Sequence, residues 1–461
     1  MHRLHLYRIL FCLLGCGLIF LLAACGSGNP PSASSTPTTK PTTVHGGPTP
    51  GVTPTLSGGN PPTGGTVSMP STQTSCPLPL GTGRAAVMAN LQLGSHQNVV
   101  YVYNMGNSSS SSSLLKRHDL TTGSDSVIAR LPGITITSAQ LSANGQWILF
   151  VAIAGGQGKL QMIRMDGQGL QTLYCAPSEG TNISSTLSNV QWSTNQRLVV
   201  FDHFSSSSFN HYQVYLLSMT SGSVQLELST GTFYAPITWL DTTRVYLSRQ
   251  FTDSPPDSLY LLDTKRGANQ PESNLALVFR ANNSNNQACW SADSSFDGAT
   301  AFISQCSRPS STSHPGAGAQ EGPSNILIQQ ATGGASHPLY ANSSEAITVV
   351  RAISRTTLLF TVDDEAFDPG ISVDNSHNGL WKINTDGSGA TRLATTGSLN
   401  ADTQFPWSNV SRDGNLYSLQ VTNGNTQSLQ FGPLSGGSTT TFATTTTGSL
   451  TGLEIVGWTT M

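Results

Sequence analysis

Acidic side chains concentrate in one stretch of the sequence, Asp363-Asp364-Glu365, which Asp368 and Asp374 follow closely. Several carboxylate oxygens brought together are the ligands that Ca²⁺ takes in proteins. The stretch lacks the Asp-x-Asp-x-Asp-Gly spacing of known calcium loops, and a hydrated connection between two strands explains the same residues. We therefore predict no metal site in this stretch, and nothing else in the sequence indicates a cofactor.

The neighbouring pair Asp202-His203 follows an apolar run, and its imidazole could titrate near neutral pH. No motif supplies a nucleophile for this pair, so we interpret it as part of a surface loop. The stretch SFDGATAF at 295–302 is similar to the Asp-box of sialidases, but its spacing differs and it occurs once. The common nucleophile, metalloprotease, P-loop and dinucleotide motifs are absent. We predict no catalytic residue.

Four cysteines lie beyond the first 25 residues: Cys76, Cys175, Cys289 and Cys306. They form no Cys-x-x-Cys pair and have no histidine at zinc-finger spacing. Register counted outward from a hairpin turn at Asp297-Gly298 places Cys289 opposite Cys306, which predicts a disulfide; two buried free thiols are the alternative. Cys76 and Cys175 are paired only by elimination.

The residues considered above lie in or between predicted short β-strands. Residues 141–174 contain three apolar runs separated by Asn144-Gly145, Gly155-Gly156 and Asp166-Gly167, which are turn sequences. With residues 134–140 they predict a four-stranded antiparallel sheet. Such a sheet has two apolar faces and must stack against similar sheets to cover both.

The same unit recurs along the chain. Seven similar turns each precede the last strand of a copy: 121–125, 165–169, 220–224, 265–269, 332–336, 385–389 and 434–438. The pairs Trp192-Ser193, Trp239-Leu240 and Trp290-Ser291 are expected to close first strands. Amphipathic helix patterns are missing, which argues against an α/β protein. We predict an all-β fold, a β-propeller of about seven four-stranded antiparallel blades over residues 76–461.

The sequence offers two candidates for the strand that closes the ring. The C-terminal residues 453–461 repeat the first-strand pattern, and their pairing with the N-terminal blade would remove two exposed sheet edges. Residues 85–91 (AAVMANL) could instead be the first strand of blade one. The sequence leaves both possibilities open.

The first 75 residues differ from the rest. Residues 1–24 have a basic start and an apolar core, as secretory signal peptides do. Leu22-Ala23-Ala24-Cys25 resembles the lipobox of bacterial lipoproteins, which implies cleavage before Cys25 and lipid attachment to its sulfur; a plain signal peptide is the alternative. Residues 25–75 are rich in Pro, Ser, Thr and Gly, a composition that predicts a disordered stalk.

The repeat resembles that of TolB-like β-propellers. NTDGSGATRLA (384–394) and RMDGQGLQTL (164–173) match the turn and last strand of that family's unit, and SRDG (411–414) and SANG (142–145) match its opening. The openings at 193–196 and 354–357 lack the glycine. The resemblance implies a propeller and no particular activity. TolB's N-terminal domain has no counterpart, so its envelope partners are not implied.

Charge limits the classes of partner. Charged residues make up 10% of the chain, with a net charge of −3, against about 25% in typical soluble proteins. Basic residues are not clustered, so we expect no nucleic-acid partner. We predict a monomeric lipoprotein, held by Cys25 on the extracytoplasmic face of a bacterial membrane, that binds an envelope protein or glycan without catalysis. A glycoside hydrolase or lyase, or a spacer without a ligand, are the alternatives.

Overall fold

The computed structural model describes residues 72–107, 110–177, 185–205, 212–251, 254–281, 287–307, 319–366, 370–399, 406–448 and 450–461. Their strands, β1 to β28, form the seven antiparallel blades of a β-propeller. This confirms the predicted fold class. Blades two and three are also joined by one parallel bridge between Gln157 and Ser185.

In each of blades one to four, four strands succeed one another from the axis outward. Blade one is β28 (Gly452–Thr460), β1 (Gln97–Asn107), β2 (Ser110–Asp119) and β3 (Ser124–Pro132). Blade two is β4 (Thr135–Leu141), β5 (Trp147–Ala154), β6 (Gln157–Arg164) and β7 (Gln171–Cys175). Blade three is β8 (Ser185–Trp192), β9 (Leu198–Ser205), β10 (Tyr212–Ser218) and β11 (Val224–Thr230). Blade four is β12 (Phe233–Trp239), β13 (Arg244–Phe251), β14 (Ser254–Asp263) and β15 (Ala276–Arg280).

Blades five to seven follow, and two of them are irregular: blade six has a short extra strand in one connection, and blade seven has three strands. Blade five is β16 (Gln287–Ser294), β17 (Thr300–Ser307), β18 (Ala319–Gln330) and β19 (His337–Asn342). Blade six is β20 (Ile347–Ala352), β21 (Thr357–Val362), β23 (Gly379–Asn384) and β24 (Thr391–Ala394), with β22 (Glu365–Ala366) in a connection that pairs with β18. Blade seven has β25 (Leu416–Asn423), β26 (Thr426–Pro433) and β27 (Thr440–Thr446); its innermost position holds a 3-10 helix, Pro406–Ser408, and isolated bridges at Ser398 and Val410.

Apolar residues on both faces of each sheet explain why the blades form a ring. Seven clusters of buried side chains lie one between each pair of neighbouring blades. Strand β5 shows the pattern: Trp147, Leu149 and Val151 face blade three, while Ile148, Phe150 and Ala152 face blade one. Because side chains alternate along a strand, a continuous apolar run covers both neighbours at once.

The C-terminal strand closes the ring. β28 pairs with β1 in antiparallel register, with Val99 opposite Trp458 and Tyr103 opposite Leu453. The cluster between blades seven and one contains Leu453, Ile455 and Trp458 from β28. Residues 85–91 form no strand, so the structure selects the first of the two closures that the sequence left open.

Residues 72–96 form a strap that precedes the first strand. The backbone of Gln73 bonds to Leu170 and Thr172, and Arg84 donates to the carbonyl of Leu173, so the strap lies along the outer edge of β7. The Sγ atoms of Cys76 and Cys175 are 2.04 Å apart and form a disulfide. The strap therefore covers the exposed edge of blade two, an edge that would otherwise pair with another chain.

One turn design joins the first and second strands in four blades. Each has a serine whose Oγ donates to an Asn or Asp side chain two residues later and accepts the backbone N–H of the fifth residue: Ser142, Ser193, Ser295 and Ser411. The position after the Asn or Asp has positive φ and holds glycine in three copies. In the fourth, Gln196 adopts φ 60°, so its turn forms without the glycine.

Two sequence interpretations were wrong in detail. SFDGATAF is the blade-five copy of this serine turn, and residues 295–299 connect β16 to β17 where a two-residue hairpin was predicted. Trp290 lies within β16 and does not close it, unlike Trp192 and Trp239, which end β8 and β12. The register still places Cys289 opposite Cys306. Their disulfide stays a prediction that non-reducing peptide mapping tests.

We expect Trp458→Ala to destabilise the ring more than truncation of the partly buried Trp381. Trp458 is fully buried in the cluster between blades seven and one, and its Nε1 donates to Ser418 Oγ at 2.9 Å. Loss of a buried tryptophan costs about 3–5 kcal/mol in the free energy of unfolding, measured by urea denaturation. Trp381→Ala is the control because Trp381 is only partly buried. Equal losses in the two variants would contradict the closing role of β28.

Candidate functional site: the loop face of the propeller

The two faces of the propeller differ in how their connections are built. The connections from first to second and from third to fourth strands lie on one face, which we call the turn face, and include the four serine turns. The opposite face, which we call the loop face, carries the connections from second to third strands and between blades. These range from two residues, Gly155-Gly156, to the long connection between β21 and β23, which contains β22. The loop-face connections vary in length from blade to blade, whereas on the turn face four blades share the serine turn.

Side chains of the innermost strands bond to the backbone of the next blade. Gln140 of β4 donates to the carbonyl of Val190 and accepts from the N–H of Trp192. Asp293 of β16 accepts the N–H of Ala352 at 2.9 Å. An innermost strand has a neighbour on one edge only, so the other edge needs such partners. Gln140 and Asp293 therefore have a structural role, which is to join neighbouring blades.

Arg412 and Trp407 lie together at the turn-face end of blade seven. The Arg412 guanidinium lies 4.3 Å from the centre of the Trp407 ring, and donates to the carbonyls of Trp458 and Ala143 at 2.7 and 2.9 Å. Burial lowers the pKa of Arg412 to about 9, which leaves it charged at neutral pH. Trp407 packs against three blade interfaces. Arg412 and Trp407 thus tie blade seven to blades one and two at this end of the ring.

Asp202 and His203 are not a surface loop. Both lie in β9 and are buried, with 2% and 5% of their surface exposed. They point to opposite faces of the blade: Asp202 accepts from Asn189 Nδ2 at 3.0 Å, while the His203 ring packs edge-on against Tyr215. Neighbouring residues of a strand face opposite ways, so this pair cannot act together.

The acidic stretch lies on the loop face and is more ordered than the sequence indicated. Asp364 is 3% exposed and does not lie in a hydrated loop. Its Oδ1 accepts the N–H of Ala346 at 2.8 Å, and its own N–H and carbonyl bond to the Asn378 side chain at 2.7 and 2.9 Å. Gln320 donates to the carbonyl of Asp363 at 2.6 Å. These bonds fix the connection 363–378 to blade five.

Further acids surround Asp364. Glu345 is 7% exposed, and one of its carboxylate oxygens lies 2.5 Å from Nδ1 of His377, whose side chain is 57% exposed. Burial, and after it the nearby carboxylates Glu345, Asp363 and Glu321, raise the pKa of Asp364 to about 6. We call Glu321, Glu345, Asp363 and Asp364 the acidic rim. Glu365 and Asp374 lie in the same connection, and Asp368 lies outside the described residues.

Within the described residues, the acidic rim does not have the donor set of a metal site. Among the described residues, no three His, Cys, Asp or Glu side chains are placed to hold a metal ion. The second carboxylate oxygen of Asp364, Oδ2, is buried and accepts no hydrogen bond within the described part of the chain. The rim thus holds two nearly buried carboxylates, Asp364 and Glu345, with one imidazole beside them.

Two of the four residues of the acidic rim, Asp363 and Asp364, could be identified from the sequence. Asp363 and Asp364 stood out as adjacent acids, but Glu321 and Glu345 are single acids in other segments that β18 and the connection 343–346 bring beside them. No local pattern marks such residues. Cys25 lies outside the described residues, and no helix within the described ranges is long and apolar enough to cross a membrane.

We expect Asp364→Asn to stabilise the protein in a pH-dependent way. Folding raises the pKa of Asp364 from 3.8 to about 6, so the folded chain binds this proton more tightly and stability is lost as pH rises from about 4 to 6. Asparagine keeps the acceptor for Ala346 and carries no charge. The variant should gain on the order of 2 kcal/mol in unfolding free energy at pH 7.5 and little at pH 4.

Urea denaturation at the two pH values measures this difference. The control is Asp386→Asn, since Asp386 is exposed on the turn face and bonds to Ser388. A gain for Asp364→Asn that is the same at both pH values would contradict the burial account.

Comparison with known proteins bears only on the fold. No protein-family model and no curated protein matches the sequence. Among solved structures, an oligogalacturonate lyase in complex with manganese is 10% identical, with a TM-score of 0.48 over 74% of this chain and 97% of the lyase. TolB from Acinetobacter baumannii is 13% identical, with a TM-score of 0.37 over 73% and 78%. An uncharacterized protein from Listeria monocytogenes EGD-e is 12% identical, with a TM-score of 0.43 over 78% and 97%.

Proposed function

We propose that this protein is a lipid-anchored binding protein of the bacterial cell envelope. Its propeller binds a protein or a glycan through the loop face, and Cys25 carries the lipid that holds the chain on the extracytoplasmic side of the membrane. The loop face carries this proposal, because its connection 363–378 is held by hydrogen bonds to the neighbouring blade, while four blades share one serine turn on the turn face.

Two observations support a location of this protein outside the cytoplasm. Leu22-Ala23-Ala24-Cys25 closes an apolar leader of the length that signal peptides have. The Cys76–Cys175 disulfide ties the strap to blade two, and disulfides of this structural kind belong to oxidising compartments. A lipid anchor followed by residues 26–71 would let the propeller stand away from the membrane.

Binding is favoured over glycoside hydrolysis by the burial of the rim carboxylates. A glycosidase needs two carboxyl groups open to the sugar on either side of the bond that breaks. Asp364 and Glu345 are 3% and 7% exposed, and one oxygen of Asp364 is committed to the backbone of Ala346. A non-reacting recognition surface agrees better with this arrangement than a hydrolytic pair does.

Replacement of the proposed lipid-bearing residue tests the anchor. Cys25→Ser should move the protein from the membrane fraction to the soluble fraction, since one thioether-linked lipid is the attachment that the leader specifies. Immunoblotting of the fractions measures the shift, with Cys76→Ser as the cysteine control that should remain on the membrane. Unchanged fractionation of Cys25→Ser would refute the anchor.

A binding screen tests the recognition function. Residues 72–461 displayed on a glycan array, and used in parallel to capture proteins from envelope extract, should retain a specific glycan or protein. Lengthening a loop-face connection at Gly155-Gly156 should change that retention, whereas the same insertion at the turn-face glycine Gly123 should not. Gly123 has open space around it and a positive φ of 67°. Retention that only the turn-face insertion abolishes would contradict the proposal.

A further inference from the structure

The turn between the first and second strands of blade six is shorter than the serine turns. In a serine turn the backbone N–H of the serine donates to a carbonyl five residues later, as Ser142 does to Trp147 at 2.9 Å. In blade six Ser354 donates to the carbonyl of Thr357, three residues later, at 3.3 Å. Because the turn is two residues shorter, it covers less of the turn face beside blade seven.

A cavity of about 230 Å³ lies between this short turn and blade seven. Ile353 and Ser354 line it from blade six, and Val410, Gly414 and Leu434 line it from blade seven. Gly414 is exposed, so the cavity opens to solvent on the turn face. Pockets for drug-sized ligands have about 300–1,000 Å³. The cavity is therefore of a size for a smaller molecule.

Lys382 brings a positive charge to the wall of this cavity. It lies in β23, opposite Leu359, the third residue of β21. In five other blades the residue at the same register is apolar and packs against the next blade: Met162, Leu216, Leu261, Ile328 and Phe431. Blade six thus has a lysine where those blades have an apolar side chain.

The Lys382 ammonium has a single hydrogen bond within the described part of the chain. Its Nζ donates to the carbonyl of Leu434 at 2.7 Å, and it forms no ion pair among the described residues. The acids of the adjacent turns, Asp386 and Asp413, are hydrogen-bonded within their own turns. An ammonium carries three N–H donors. Two donors of Lys382 therefore remain beyond its bond to Leu434.

We propose that this cavity binds a small organic carboxylate whose apolar part is a few carbon atoms long. The carboxylate accepts hydrogen bonds from the Lys382 ammonium, and such charge-assisted bonds are stronger than those between neutral groups. The apolar part contacts Ile353, Val410 and Leu434. This site lies on the turn face, so it is separate from the recognition proposed for the loop face and does not depend on it.

The two kinds of lining select this class of ligand. An inorganic anion would pair with Lys382 but gain nothing from the apolar side chains of Ile353, Val410 and Leu434. A wholly apolar ligand would cover those side chains but leave the half-buried ammonium without a charged partner, which is costly. A molecule with a carboxylate at one end and an apolar group at the other uses both.

Isothermal titration calorimetry of the mature chain, residues 25–461, with sodium hexanoate at pH 7.5 tests the site. Hexanoate should bind saturably, and hexan-1-ol, which lacks the charge, should bind at least tenfold more weakly. Lys382→Met should remove this preference, and it should fold because blade two has Met162 at the same register. The matched control is Lys265→Met, which removes the same charge from an exposed position of the turn face and should bind as the wild type does.

A series of shorter acids measures the apolar contact. Each methylene group buried in the cavity should strengthen binding about fourfold, so butanoate should bind about 15-fold more tightly than acetate. Equal affinities for acetate, butanoate and hexanoate would overturn the proposal. Tighter binding of inorganic phosphate than of hexanoate would overturn it as well, because the site would then serve an inorganic anion.

Methyl NMR of the wild-type chain locates the ligand without any variant, should Lys382→Met not fold. Hexanoate should shift the methyl resonances of Ile353, Val410 and Leu434 and leave those of Ile148 in blade two unchanged. Shifts confined to other blades, absence of hexanoate binding, or equal loss of binding in Lys382→Met and Lys265→Met would each overturn the proposal.

Discussion

Every blade of this protein has two apolar faces, and the need to cover both governs the structure. The cluster between blades seven and one contains six buried side chains, among them Tyr101, Leu453 and Trp458. At about 1.5–3 kcal/mol for each buried side chain, exposure of this one interface would cost on the order of 10 kcal/mol. The stability of a whole domain is about 5–15 kcal/mol. Closure of the ring through β28 is therefore required for folding.

Closure separates the parts of the chain that must repeat from those that may vary. Serine turns, inter-blade bonds such as that of Gln140, and the Arg412–Trp407 contact lie at the axis or on the turn face, where each blade must meet the next. Loop-face connections follow no shared design, although one of them, 363–378, pairs with blade five through β22. The acidic rim forms there, between blades five and six, from segments that the ring brings together.

The repeating parts could be predicted from sequence because their chemistry is local. All seven turns before the last strands lie where predicted, and a turn such as Met165-Asp166-Gly167 needs only its own residues to form. Gln196 shows the limit: it adopts the positive φ that glycine favours because the Ser193 and Asn195 side chains complete the turn around it. The strap and the rim depend on contacts between distant segments, as Cys76 with Cys175 and Gln320 with Asp363 show. No periodicity in a single sequence records those contacts.

Amide hydrogen exchange, followed peptide by peptide, tests ring closure most directly. β1 and β28 are the first and last strands of the propeller and are paired through eight register positions from Gln97–Thr460 to Asn104–Gly452. If closure holds the ring together, both strands exchange as slowly as β5, and removal of residues 452–461 accelerates exchange in β1 and in blade seven together. Fast exchange in β1 and β28 of the intact chain, with β5 protected, would contradict the account.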